Sequence, residues 1–178
     1  MKIRIVLLLI ISGMLSFSFT ETELKTLIAG KGISGEFTIG ETSKSDVKKK
    51  FGDDFKELSY YTKKNGDSTL YSTAMYYENQ GLKFYFKAGS DVLWSVYCYE
   101  KYPATTDKGI RAGVSTMADV LKAYGKSEWY TSGKNMFLEY DGIVFGVPFD
   151  GKIPVKKSVY KNAKKMKVNY IAIENASE

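Results

Sequence analysis

No histidine occurs in the 178-residue chain and Cys98 is its one cysteine. Neither a Ser-His-Asp nor a Cys-His arrangement can therefore be assembled, and the commonest metal ligand is missing. Cys98 alone is a candidate nucleophile, but it alternates with Trp94 and Val96 on an apolar strand face, whereas a reactive thiolate needs a polar, accessible setting. It reads as a packing thiol. What remains is carboxylate chemistry, and glycoside hydrolysis needs two acids about 5 to 9 Å apart across a cleft. Asp53 with Asp54, and Asp46 with Asp119, are the pairs on offer; the first follows a helix in a turn, and the second is explained by helix capping. The glycines are isolated helix stops and turns, not a phosphate-binding loop. The expectation is a protein that is not an enzyme, with no cofactor and no metal.

The capping phrase is written twice. Residues 40–52 read G-E-T-S-K-S-D-V-K-K-K-F-G, and residues 113–125 read G-V-S-T-M-A-D-V-L-K-A-Y-G. At one constant spacing Gly40 falls on Gly113, Ser43 on Thr116, Asp46 on Asp119, Val47 on Val120, Lys49 on Lys122, Phe51 on Tyr124 and Gly52 on Gly125. Ser43 or Thr116 caps a helix, the acid three residues on answers back to its first amides, and the closing glycine supplies a left-handed stop. The sequence thus predicts two-turn helices over 43–51 and 116–124, within an internal repeat.

After Gly52 the apolar period changes from helical to two. Strands are predicted at about 55–62, 69–77, 82–87 and 92–100, joined by the turns Asn65-Gly66-Asp67, Asn79-Gln80-Gly81 and Gly89-Ser90-Asp91. Such short loops make an antiparallel meander. Leu82, Phe84 and Phe86 alternate with Lys83, Tyr85 and Lys87, and Trp94, Val96 and Cys98 alternate with Ser95, Tyr97 and Tyr99. The first set of each strand is expected under the helix and the second outward. Beyond the connection at 102–106 the plan returns, with strands at about 128–131, 136–140, 142–147 and 167–174. A short helix at 21–29 and an extended stretch at 32–39 precede the first copy. The fold class is α+β: repeat 1 at 21–104 and repeat 2 at 105–178, each a short helical layer on an antiparallel meander, the two sheets continuous and concave.

The insertion at 150–166 carries Lys152, Lys156, Lys157, Lys161, Lys164 and Lys165 against one acid, Asp150. It has two readings, a solvated loop or attraction to an acidic partner or anionic envelope polymer. At the other end, Lys2 and Arg4 precede an apolar run that begins at Ile5, with Ser16 and Ser18 after it. This is the layout of a signal peptide over 1–20, and the run is shorter than the roughly twenty apolar residues a membrane span requires. The expectation is export to the periplasm or cell exterior, with no stable membrane insertion after cleavage. Removal of those two bases lowers the formal charge from +6, a balance too mild to point to nucleic acid.

The glycine-bounded helix phrase, followed by a meander and written twice, resembles the β-lactamase inhibitory protein. It is also similar to the outer-membrane assembly lipoproteins of the SmpA/OmlA type, which share the phrase in single copy. The resemblance implies a helical layer on a sheet in each repeat, the sheets joining into one concave surface that binds protein. It also sets Asp67 at a place comparable to the acidic hairpin residue that enters the inhibited enzyme's active site. Asp is equally what such a turn prefers. The inhibitor's disulfides and the lipoproteins' lipid-bearing cysteine have no counterpart here.

The function expected is a non-catalytic protein-binding module, an inhibitor or an envelope-associated interaction protein. The alternative is a carbohydrate- or small-ligand-binding module. The candidate surface is the outward face with Lys83, Tyr85, Lys87, Tyr97 and Tyr99, with Asp67 on its hairpin and Lys156, Lys157, Lys164 and Lys165 as a basic accessory. Tyrosine offers rigid contact area and a hydrogen-bonding tip; equally, it favours strands and steadies them through cross-strand pairs.

Overall fold

A computed structural model of the chain describes residues 24–64, 66–149 and 157–175; the signal segment expected at 1–20 and residues 150–156 of the lysine-rich insertion lie outside the described residues. Both copies of the phrase fold as capped helices, α1 (Lys44–Phe51) and α2 (Met117–Tyr124). The Ser43 amide donates to Asp46 Oδ2 at 2.9 Å while the Asp46 amide donates to Ser43 Oγ at 3.2 Å. In α2 the same two bonds, between Thr116 and Asp119, measure 2.8 and 3.3 Å. Hydrogen bonds from Ser43 hold the Asp46 carboxyl below its ordinary range, and the Thr116 amide does the same for Asp119. These acids serve as caps.

Gly52 and Gly125 close the helices at φ 79° and 90°, with ψ of −167° and −173°. The stop is a positive-φ, extended-ψ conformation open to glycine, rather than the left-handed helical one. A Cβ at Gly125 would meet no atom within 4 Å. Gly125→Val therefore isolates the backbone requirement, and it should cost at least about 1 kcal/mol, read as a lower urea midpoint at unchanged m-value. An unchanged midpoint would remove that requirement.

The strands form two sheets. Four short ones, β1 (Lys25–Ile28), β2 (Gly32–Ile33), β3 (Phe37–Thr38) and β8 (Ala104–Thr106), are ordered β3-β2-β1-β8. The others are β4 (Lys56–Lys64), β5 (Asp67–Tyr77), β6 (Leu82–Lys87), β7 (Leu93–Tyr99), β9 (Trp129–Ser132), β10 (Asn135–Tyr140), β11 (Ile143–Pro148) and β12 (Tyr170–Glu174). They make one antiparallel sheet ordered β4-β5-β6-β7-β12-β11-β10-β9. At its centre β7 meets β12, with Val96 opposite Ile173 and Tyr97 opposite Ala172. One face of this sheet carries the core: Phe84, fully buried, lies 4.9 Å from the Phe37 ring and 6.0 Å from those of Phe51 and Tyr77. Tyr77 Oη donates to the Gly52 carbonyl at 2.7 Å, and Tyr140 Oη donates to that of Gly125 at 2.8 Å. Each helix stop is thus tied down by a tyrosine from the sheet.

The structure departs from the sequence expectations at several places. The predicted helix at 21–29 is, where described, strand β1, paired in parallel with β8 and antiparallel with β2. Only Leu27 of β1 is buried, so an isolated two-turn helix had little to dock with, while the β8 backbone needed a partner. Within the connection at 102–106, Ala104–Thr106 form strand β8, which β1 partners. The extended stretch at 32–39 is two two-residue strands. In β7, Tyr85 pairs with Ser95 but Phe86 pairs with Leu93, so Trp94 is an extra residue and the alternation flips there. Leu93 takes the core position, and Trp94 is half-buried against Tyr71. The insertion, read as a solvated loop or a basic patch, contains a third helix, α3 (Lys157–Ala163), anchored by Ala163 in the core and by Tyr160 at 6.0 Å from Trp129. Lys164 and Lys165, just beyond it, are exposed.

Candidate functional site

The other face of the large sheet is covered by no helix among the described residues, yet Tyr60, Tyr85, Tyr97 and Tyr99 are half-buried and Tyr170 is buried. The reason is curvature. Laid flat, eight strands would place the two edges about 34 Å apart, but one cavity of about 530 Å³ is lined both by Tyr60 of edge strand β4 and by Ser132 of edge strand β9. The sheet is curled around it. Between the edges the lining comes from Lys83, Tyr85, Tyr97, Tyr99, Phe137, Glu139, Val144, Tyr170 and Glu174, with Asn135 and Asn169.

The floor is made of small residues set across from large ones. Tyr60 is opposite Ser72, Tyr85 opposite Ala74 and Ser95, Tyr97 opposite Ala172, and Tyr170 opposite Gly146. Ala74 and Ala172 are fully buried, and Ser72 and Ser95 nearly so. Each ring can therefore lie over its neighbour's backbone. A side chain at Gly146 would put its Cβ 2.0 Å from Tyr170 Cζ, so this mid-strand glycine is the seat of a ring.

The rings form a continuous path. Tyr60 is 5.4 Å from Tyr85, Tyr85 is 4.9 Å from Tyr97, and Tyr97 is 5.1 Å from Tyr170 at 25° between ring planes. Lys83 Nζ stands 4.9, 5.8 and 5.9 Å from the ring centres of Tyr76, Tyr85 and Tyr99, a cation–π arrangement that positions it without an acid. Tyr97, cross-strand partner of Lys83, donates from Oη to Glu174 Oε1 at 3.2 Å. Burial pushes the Tyr85, Tyr97 and Tyr99 hydroxyls well above the ordinary phenol range, and Tyr170 up to about 12. They are neutral donors near pH 7. Burial also raises the Glu174 carboxyl, and the Glu139 charge adds to this against the lowering effect of Tyr97.

The structure thus brings Lys83, Tyr85, Tyr97 and Tyr99 to one hollow. Lys87 shares their face, but it is exposed and lies over Trp94, 5.3 Å from its ring centre. Asp67 begins β5 on the exposed hairpin, apart from the cavity lining. Lys164 and Lys165 lie on the helical side, where the Lys164 carbonyl accepts from the Ala118 amide of α2. Lys156 is outside the described residues, as is the side chain of Lys157. Cys98 is fully buried and its thiol is pushed well up by desolvation. Among the described residues no group of acids and cysteine is placed to hold a metal, and no helix is long and apolar enough to cross a membrane.

No family model matches the chain, and no curated protein matches it. A crystal structure does: the uncharacterized protein YfeY from Escherichia coli, at a TM-score of 0.50 and 13% identity over 85% of this chain and 99% of that one. The likeness concerns the fold alone. The sequence did not single out Tyr60, Phe137, Glu139, Tyr170 or Glu174, nor Ser132, Asn135, Val144 and Asn169, which complete the lining. For Phe137 and Glu139 the signal was present, since they alternate with the buried Met136 and Leu138. For Tyr170 it was Gly146, a glycine inside a strand.

Proposed function

We propose that the chain is an exported, non-catalytic binding protein of two tandem repeats, 21–104 and 105–178, whose concave tyrosine face receives a protein partner. The observation that carries this reading is a long aromatic face, shaped into a hollow and, among the described residues, left without a cover. Tyrosine on rigid strands supplies contact area at small entropic cost. The repeat is supported by equivalent backbone contacts in both halves: Gly40 donates to Leu93 as Gly113 does to Val168, and Lys44 donates to Asp91 as Met117 does to Met166. Lys164 and Lys165 lie away from the hollow, so in this reading the basic insertion steers a partner at most from the side. The size of the hollow favours a second reading, since about 300–1,000 Å³ is usual for small-ligand sites and stacked tyrosines suit a sugar or small ligand.

Photocrosslinking separates the faces. With a benzophenone side chain placed at Tyr60 or Phe137, a bound protein should be captured covalently, whereas the same group at Lys49 of α1 or Lys161 of α3 should capture none. Capture from the helical positions alone would overturn the proposal.

A further inference from the structure

We propose that the end of the hollow bounded by Glu139 and Glu174 is a subsite for an organic cation, the ammonium or guanidinium group of a basic side chain on the partner. This rests on the reading of the concave face as the binding surface. Glu139 and Glu174 line the tyrosine hollow and also a second, adjoining one that extends past Asp141 and Asn175. The two hollows meet at the carboxylates. The ion pairs among the described residues engage Glu36, Asp53, Glu78 and Asp91, so no described lysine or arginine neutralises Glu139 or Glu174. Glu174 is half-buried with Tyr97 as its side-chain donor. A half-enclosed carboxylate of this kind is completed by a cation.

The surroundings fit an organic cation better than a metal ion. Tyr97 and Tyr170 present stacked faces beside Glu174, and aromatic faces attract ammonium and guanidinium groups. On the floor, Ser95 is in register with Glu174, and its hydroxyl oxygen is buried without a hydrogen-bond partner. Its side chain neighbours that of Glu174 across β7 and β12, on the same face of the sheet. Lys83, the cross-strand partner of Tyr97, is itself held over Tyr76, Tyr85 and Tyr99.

The test uses agmatine, a guanidinium on a short alkyl chain, titrated calorimetrically into the full chain at low salt. Saturable one-to-one binding is expected, weakened about tenfold in Glu174→Gln and in Glu139→Gln and not weakened in Lys83→Gln. Butylurea, a neutral analogue, should not bind. Glu174→Gln should melt no lower than wild type, since it removes a partly buried charge; if it does melt lower, Glu139→Gln carries the comparison. No saturable binding, or wild-type affinity in both glutamine variants, would overturn the subsite. Crosslinks from Tyr60 and Phe137 without agmatine binding would sink the subsite and leave the binding reading standing; absence of those crosslinks would remove both.

Discussion

A Gly146→Val chain is expected to lose about 1–3 kcal/mol of stability and the shape of its hollow with it. The position needs glycine for space: Tyr170 is its cross-strand partner, and its ring occupies the volume of a Cβ, with Cζ at 2.0 Å and Cε1 at 2.1 Å from where that atom would stand. The ring cannot simply move aside, because it is stacked on Tyr97 at 5.1 Å and lies 6.0 Å from Tyr99. Displacing it breaks the aromatic path, each link of which contributes about 0.5–1.5 kcal/mol beyond burial. The check is a double-mutant cycle by thermal melting. Tyr170→Ala should cost far less in the Gly146→Val background than in wild type, because the clash disappears with the ring. Additive losses would mean that glycine is needed there for some other reason.

The helices and the meander were legible because their signals are local. Ser43 with Asp46, and Thr116 with Asp119, carry both halves of a capping box within four residues, and period-two alternation in β6 gave both its ends and its core face. The order of the eight strands was not legible in the same way. The β7–β12 pairing joins residues about seventy-five positions apart, and only the resemblance to a concave two-repeat protein suggested it. Failures came where tertiary context overrode local pattern. Leu24, Leu27 and Ile28 have helical spacing, but β8 offered hydrogen-bond partners and the segment became a strand. A single bulge at Trp94 reversed the alternation, putting Leu93 into the core and Trp94 against Tyr71.

The site was half legible for a related reason. Alternation places Tyr85, Tyr97 and Tyr99 on one face, but it says nothing of curvature, and curvature is what brings Tyr60 and Ser132 to the same cavity. The pairing of large rings with Ala74, Ala172, Ser95 and Gly146 becomes visible only once register is known. No local pattern singles out Glu139 or Glu174. Their environment made them a candidate site.

Tyr85 and Tyr97 stand at the centre of the ring path, 4.9 Å apart, and pack on small floor residues rather than under another element. A partner seated in the hollow must touch both. Truncating such anchors costs at least about 2 kcal/mol each when they are hot spots, so Tyr85→Ala with Tyr97→Ala should lower partner affinity at least about a hundredfold. The fold should survive, because Leu82, Phe84, Phe86, Val96 and Cys98 lie on the opposite face and remain packed. The deciding measurement is the affinity of the double variant for the captured partner, taken beside its thermal midpoint. Near-complete loss of binding with most of the stability retained is the expected result. Wild-type affinity, or collapse of the fold, would assign these tyrosines to the architecture and contradict the claim that they form the binding surface.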